Sequence, residues 1–368
     1  MRFDAAVIGL GAVGSAAADA LTRRGLKIIG FDAYDPPHAM GSSHGDTRLV
    51  RIAYAEGETY VPLARRAAAL WLEANAASQE VLFHQDGVLY AGAESGSMIT
   101  SVRQSAQRWG IALDARAEFP SAQIPDDWTV LFEPEGGYAR PEAAIAFFLR
   151  TAVERGAALR TNTPVTGLER SGGRWRLRAA GCEVEADQVL IAAGGWAGGL
   201  RPGLASLLTI ERRVHVWFDP AQTGMEQGRH PAFAFQDETG CWFYGAPALP
   251  GGRGVKLSPH HGHDPAESAD GVDRSTHAAD TVRSRRFAAQ ALPSLGPVID
   301  QEACFYTLSP DGHFIVEDAV AGEGLMVIAG LSGHGFKFAT ALGEHAALRL
   351  CGEAGVVDLS VFSPARFG

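Results

Sequence analysis

The chain has 368 residues, 46% of them hydrophobic and 20% charged, which is enough apolar material for two packed domains and too patterned for wholesale disorder. A formal net charge of -10 argues against nucleic acid as a partner, because phosphate binding needs a basic surface. Cys182, Cys241, Cys304 and Cys351 stand far apart with no CxxC pair, which fits a reducing cytoplasm and no disulfide framework.

Arg2 followed by an apolar run imitates a signal peptide, but Asp4 interrupts its charge pattern and Gly9, Gly11 and Gly14 interrupt the run. Phe3 to Ile8 instead reads as a buried strand, and Ser15 to Arg24, alanine-rich and closed by Gly25, as a helix. Leu26 to Phe31 is a second strand that ends in Asp32. Between strand and helix lies Gly9-Leu10-Gly11-Ala12-Val13-Gly14. The first glycine permits a tight turn, the second lets backbone approach a pyrophosphate, and the third lets helix and strand pack closely. The helix N-terminus adds amide donors and the positive end of its dipole. Asp32 is placed to accept hydrogen bonds from a ribose and to repel a 2′-phosphate, which disfavours NADP. The motif does not separate FAD from NAD; its position at the head of the chain favours FAD.

A loop follows from Pro36 to Gly45, then a helix from Val61 to Asn75. Val88 to Ala91, Thr129 to Phe132, Ile210 to Phe218, Cys241 to Tyr244 and Gly254 to Ser258 are predicted strands. Pro141 suits the first position of a helix running to Arg155. Gln188 to Ala192 is a further strand leading into Gly194-Gly195-Trp196. Leu325 to Ala329 is a last strand, joined by Gly330-Leu331-Ser332-Gly333-His334 to a helix over Gly335 to Leu350. The expected fold class is mixed α/β: a Rossmann-like cofactor domain from residues 1–80, 142–204 and 308–368, and a substrate domain on a mainly antiparallel sheet from residues 81–141 and 205–307. No apolar stretch is long enough to span a bilayer, so no membrane partner is expected. Only three of the 32 basic residues are lysines, Lys27, Lys256 and Lys337. A compositional bias toward arginine accounts for the imbalance, yet a lysine that survives it tends to sit where arginine will not serve.

The later segments are more specific. Gly41-Ser42-Ser43-His44-Gly45-Asp46-Thr47-Arg48-Leu49-Val50-Arg51 closely resembles the monomeric sarcosine oxidases and N-methyltryptophan oxidases. So do Asp35-Pro36-Pro37-His38 and Glu56-Gly57 through Tyr60-Val61-Pro62-Leu63. Ala303-Cys304-Phe305-Tyr306 is similar to their flavin-attachment region, and Gly330 through His334-Gly335-Phe336-Lys337-Phe338 to their C-terminal signature. The resemblance runs from the first strand to Ser363. It implies an FAD enzyme that oxidises a secondary amino acid, N-methyl or cyclic, to an imine. Water then releases an aldehyde, and oxygen is reduced to hydrogen peroxide. It also suggests a monomer.

By the same resemblance Cys304 carries the flavin through a thioether, although a lone cysteine also reads as a small buried hydrophobe. Arg51 and Lys337 match the pair that holds the substrate carboxylate, a planar fork and a point charge converging on an anion. Lys256 matches the lysine that activates oxygen. Arg48 and His44 belong to the flavin's charge and proton network, with an Arg48–Asp46 ion pair as the competing reading. Tyr244 and His260 match cavity positions. Ser42, Val165, Gly194, Trp196, Gly333 and Gly335 join Gly9, Gly11, Val13, Gly14 and Asp32 as cofactor contacts. His260, His261, His263 and Asp264 are too crowded, and too near glycine and proline, for a regular metal site, so none is expected. Ser43, where many relatives have histidine, and Gly312, where many have an acid, are departures that bear on substrate preference. Three alternatives stay open: a flavin dehydrogenase passing electrons elsewhere than oxygen, a silent flavin-binding subunit, and an NAD-dependent dehydrogenase.

Overall fold

A computed structural model describes residues 1–116, 121–220, 224–318 and 323–368. The strand–turn–helix–strand start is present as β1 (Arg2–Ile8), α1 (Ala12–Arg23) and β2 (Ile28–Phe31). β1 pairs in parallel with β2, Val7 opposite Gly30, and on its other side with β12 (Cys182–Ile191), Val7 opposite Leu190. β12 is long enough to serve two neighbours on its far edge. Its first half pairs antiparallel with β11 (Arg174–Ala179), which forms a hairpin with β10 (Val165–Ser171). Its second half pairs in parallel with β20 (Leu325–Ala329), itself edged by β19 (Ile315–Glu317). β9 (Ala158–Arg160) lies beyond β2. The strands at the middle of this sheet are continuous buried apolar runs, as a sheet covered on both faces requires.

On one face of it α1 packs between α4 (Pro141–Glu154) and α7 (Ala339–Leu350). Gly343 of α7 sets the approach: a Cβ there would stand 2.7 Å from the Ala16 and Ala17 backbone of α1. α2 (Val61–Ala77) packs on α7 in turn.

The second sheet runs β13 (Thr209–Phe218), β16 (Val255–Pro259), β15 (Trp242–Ala246), β14 (Ala232–Gln236), β5 (Val88–Ala93), β7 (Trp128–Glu133) and β6 (Asp114–Arg116). β18 (Val298–Leu308) pairs along all of β13, and β17 (Pro265–Ala266) with its beginning. Every pairing here is antiparallel except that of β5 with β14, so the expected mainly antiparallel sheet is found. α6 (Val282–Ala291) covers it, Phe287 stacking on Phe243 at 4.1 Å. A small third sheet joins β3 (Arg48–Val50), β8 (Gly137–Ala139) and β4 (Phe83–His84). A short α5 (Ala197–Leu200) follows β12.

Several elements, among them β14, β18 and α6, were not in the sequence reading, and three differences are instructive. α3 (Ser97–Trp109) was not expected, because its serines and β-branched residues are indifferent helix formers. Its first turn is capped from outside, the Gln236 side chain accepting the Met98 amide at 3.0 Å. The β10–β11 hairpin was also unforeseen, its strands being half-exposed and rich in arginine. The last helix starts at Ala339 rather than Gly335, after a 3-10 turn over Phe336–Phe338.

Candidate active site

A cavity of about 450 Å³ opens between the two large sheets. One end is built by the β1–α1 turn. Gly9 has φ +89, and a Cβ on it would lie 2.6 Å from the Ala192 carbonyl at the end of β12. A Cβ on Gly14 would run into the Gly9 carbonyl, so Gly14 supports the turn from behind while Gly9, Gly11 and Val13 line the cavity. Asp32 Oδ2 accepts the Leu10 amide at 2.7 Å and Oδ1 the Tyr34 amide at 2.9 Å, which fixes its carboxylate at the cavity wall. Ser42, Val165, Gly194 and Trp196 complete this end.

The far end is cationic. Arg51 follows β3 directly, and the backbone after it is pinned from β7: the buried Glu133 carboxylate accepts the Ile52 and Ala53 amides at 2.6 and 3.2 Å and the Tyr90 hydroxyl at 2.5 Å. The Arg51 guanidinium is buried, and Nη2 donates to both oxygens of Glu56, at 2.5 and 2.6 Å. Among the described residues Nε and Nη1 have no hydrogen-bond partner. Burial pushes the Glu56 carboxyl up, but Arg51, His334 and Lys337 together hold it down at about 2. Lys337 donates to the Tyr54 hydroxyl at 3.2 Å and the His334 carbonyl at 2.9 Å. The Tyr54 ring is flanked by both cations, 4.9 Å from the Arg51 guanidinium and 5.1 Å from the Lys337 ammonium. Burial and then Arg51 drive Lys337 down, against Glu56, to about 7. His260, Tyr244 and Trp242 form the opposite wall.

Between the two ends lies the Arg48 segment. Arg48 donates to the Thr47 and Ser42 carbonyls and to His215 Nε2 at 3.1 Å, so its partners among the described residues do not include Asp46. Lys256, buried on β16, donates to the Gly45 and Thr47 carbonyls at 2.9 and 3.1 Å. Burial, reinforced by Arg48, depresses it well below the usual lysine range. His44 Nδ1 stands 3.1 Å from Glu302 Oε2. Cys304 faces Arg213 across the β13–β18 pair; burial raises its thiol, and Arg48, Lys256 and Arg213 draw it back. Phe305 and Tyr306 line the cavity, whereas Cys304, Lys256 and His44 are not among its lining residues.

Over residues 4–349 the chain matches the family described as FAD dependent oxidoreductase. The chain belongs to this FAD-dependent oxidoreductase family. It is 37% identical over 374 residues to the N-methyl-L-tryptophan oxidase of Yersinia pestis (strain Pestoides F), with 100% of both chains covered. The structure is similar to the open form of NikD, an unusual amino acid oxidase essential for nikkomycin biosynthesis, with a TM-score of 0.84 at 21% identity over 99% of this chain and 97% of that one. It is similar also to the L-proline dehydrogenase from P. horikoshii, with a TM-score of 0.82 at 18% identity over 100% and 98% of the two chains. These likenesses show the same fold.

The residues present fit the FAD that the family requires. The glycine turn leaves no room for side chains where a pyrophosphate approaches, and the cavity continues unbroken from that turn to Arg48, Tyr244 and the Gly330–Lys337 segment. The structure thus gathers the glycine turn, Asp32, Ser42, Arg48, Arg51, Val165, Gly194, Trp196, Tyr244, His260, Gly333, Gly335 and Lys337 around one space. The histidines that follow β16 part company: His260 faces the cavity, while His263 turns to Glu211 at 3.5 Å. Sequence reasoning missed His215, Tyr54 and Glu133 and gave Glu56 and His334 no role. The last two lie inside quoted motifs; the others carried no local signal. Among the described residues no helix is long and apolar enough to cross a membrane.

Proposed function

We propose that this FAD-dependent oxidoreductase oxidises a secondary amino acid, N-methyl or cyclic, at its carbon–nitrogen bond, with oxygen as the acceptor. The observation that carries the reading is the buried Arg51 guanidinium, with Nε and Nη1 free of hydrogen bonds among the described residues, near Lys337 at the end of a cavity that begins in a nucleotide cradle. A buried cation with free donors is costly unless an anion completes it. A substrate carboxylate supplies that anion, and Glu56 occupies part of its place until then. The full-length relative named for N-methyl-L-tryptophan supports an N-methyl amino acid.

FAD, when bound, supplies a two-electron acceptor whose electrons pass to oxygen to give hydrogen peroxide; the imine left behind hydrolyses to an aldehyde and an amine. The protein's part is to bind, orient and exclude water. Arg51 and Lys337 fix the carboxylate. His260 is held by burial at about 3, so it meets the substrate nitrogen as a neutral ring. Arg48 and Lys256 place positive charge beside the space where negative charge develops. Lys256 is depressed by burial, so it holds its proton most firmly when an anion stands next to it. Such a charge in a dry site is worth on the order of 2–4 kcal/mol. Cys304 would be the residue that holds the flavin covalently; burial raises its thiol, and Arg48, Lys256 and Arg213 only partly oppose that rise. Residues 1–80, 142–204 and 308–368 form the cofactor domain and the remainder the substrate domain of a cytoplasmic monomer.

The test is acid precipitation of the purified protein and a visible spectrum of the washed pellet in denaturant. Flavin absorbance is expected in the pellet, and none in that of Cys304→Ala. Colour released to the supernatant from the unsubstituted protein refutes the covalent bond and leaves the cavity reading to an oxygen-uptake assay with N-methyl amino acids.

A further inference from the structure

His215 sits on β13, 1% exposed, where the cofactor and substrate ends of the cavity meet. Its ring has two polar neighbours: Arg48 Nη2 is 3.1 Å from Nε2, and the Tyr244 hydroxyl 3.2 Å from Nδ1. The ring is wedged. A Cβ on Gly45 would lie 2.8 Å from its Cδ2, and the rings of His44 and Trp217 stand 5.8 and 5.9 Å away. Turning the ring over would present carbons to both neighbours.

The tautomer follows from the partners. A guanidinium donates and cannot accept, so Nε2 is the acceptor. A neutral imidazole then carries its hydrogen on Nδ1, and that hydrogen faces the Tyr244 oxygen. A charged imidazolium is disfavoured first by burial and then by the like charges of Lys256, Arg48 and Arg253. With its oxygen already accepting, the Tyr244 hydroxyl must send its own hydrogen elsewhere, and Tyr306 lines the same cavity.

We propose that His215 is a positioning residue for Tyr244: held by Arg48 at Nε2, it donates from Nδ1 to the Tyr244 oxygen and turns the Tyr244 hydroxyl hydrogen away from β13, toward Tyr306 and the cavity. The Arg48 charge is thereby coupled to the direction of a hydrogen at the substrate wall. The kinetic consequence rests on the cavity being the amine-oxidation site; the tautomer does not.

Three substitutions separate the two bonds in the flavin-loaded protein. His215→Gln sets an amide oxygen near the Nε2 position and keeps the partner of Arg48. His215→Asn sets an amide nitrogen near Nδ1 and keeps the donor to Tyr244. His215→Phe keeps the ring and neither bond. In anaerobic single turnovers with an N-methyl amino acid, His215→Phe and His215→Gln reduce the flavin roughly tenfold more slowly, the worth of one positioned hydrogen bond. His215→Asn loses clearly less than either, and His215→Phe adds nothing to Tyr244→Phe. Equal losses in the Asn and Gln variants, or additive losses in the double variant, overturn the proposal. A second measurement is independent of turnover: nitrogen NMR of histidine-labelled protein at neutral pH shows an imidazole protonated at Nδ1 and bare at Nε2, absent from His215→Phe, or from His215→Asn should the Phe variant fail to fold. An imidazole protonated at Nε2 overturns the proposal. If the unsubstituted protein is not reduced by any secondary amino acid, the functional reading fails while the NMR result still decides the tautomer.

Discussion

Arg51 shows how much of the site depends on one side chain having more donors than partners. Its two unpartnered nitrogens lie in a wall otherwise satisfied by Glu56, Glu133 and Tyr54. Arg51→Gln removes the buried charge that the proposed function assigns to a substrate carboxylate, an expected loss of about 2–5 kcal/mol in binding. KM therefore rises on the order of a hundredfold or more while flavin content holds; an unchanged KM refutes the assignment. Lys256 makes a different kind of claim, because among the described residues it donates to two backbone carbonyls and to no carboxylate. Lys256→Met is expected to slow reoxidation in air far more than anaerobic reduction. Stopped-flow traces of the two half-reactions decide it, and similar losses in both exclude a specific role toward oxygen. Of the three lysines, Lys27 is exposed, while Lys256 and Lys337 are buried. His215 had no signal in the sequence. In the run Ile210 to Phe218 it is one more residue of an alternating strand, and only the fold brings Arg48 and Tyr244 to its two nitrogens.

At the scale of elements, the β1–α1 turn was legible because its chemistry is local: three glycines, an apolar strand before them and a helix after them lie within one short stretch. What holds α1 in place was not legible, since it comes from α7. Gly343 meets the α1 backbone at 2.7 Å, and backbone cannot yield as a side chain can. Gly343→Ala is therefore expected to cost about 1–3 kcal/mol by overpacking. It should also weaken flavin retention, because α1 opens on the cavity. Thermal unfolding and a flavin-binding titration measure the two effects; a variant unchanged in both would mean that the helices part without consequence. α3 was missed for a related reason, its first turn being closed by Gln236 from a strand more than a hundred residues later. The start of the last helix was misplaced because Gly335 and Phe336 favour no sharp boundary, and Gly335 is pressed against Leu331.

The whole molecule buries an unusual set of neutral histidines. His44, His215, His260, His334 and His345 are all depressed, chiefly by burial, with His334 at about 4 and His260 at about 3. Unfolded, each takes a proton near pH 6.5, whereas folded it does not. Their stabilising contribution is therefore complete above roughly pH 6.5 and is lost as pH falls, by up to about 1.4 kcal/mol per pH unit for each ring. Urea midpoints should drop steeply between roughly pH 6.5 and 5, and a flat profile there would contradict these burials. Fold class was legible at this scale, because strand–helix signals recur at residues 3–32, 141–192 and 325–350. The interleaving of segments orders events in time. β12 stands between β1 and β20, so the sheet begun by residues 2–8 closes only against residues 325–327. At about 5–20 residues per second, a ribosome needs tens of seconds to supply the second after the first. The growing chain carries an open sheet edge throughout that interval, and the expected dependence is on chaperones that shield a nascent β1–β12 pair rather than on the stability of the finished enzyme.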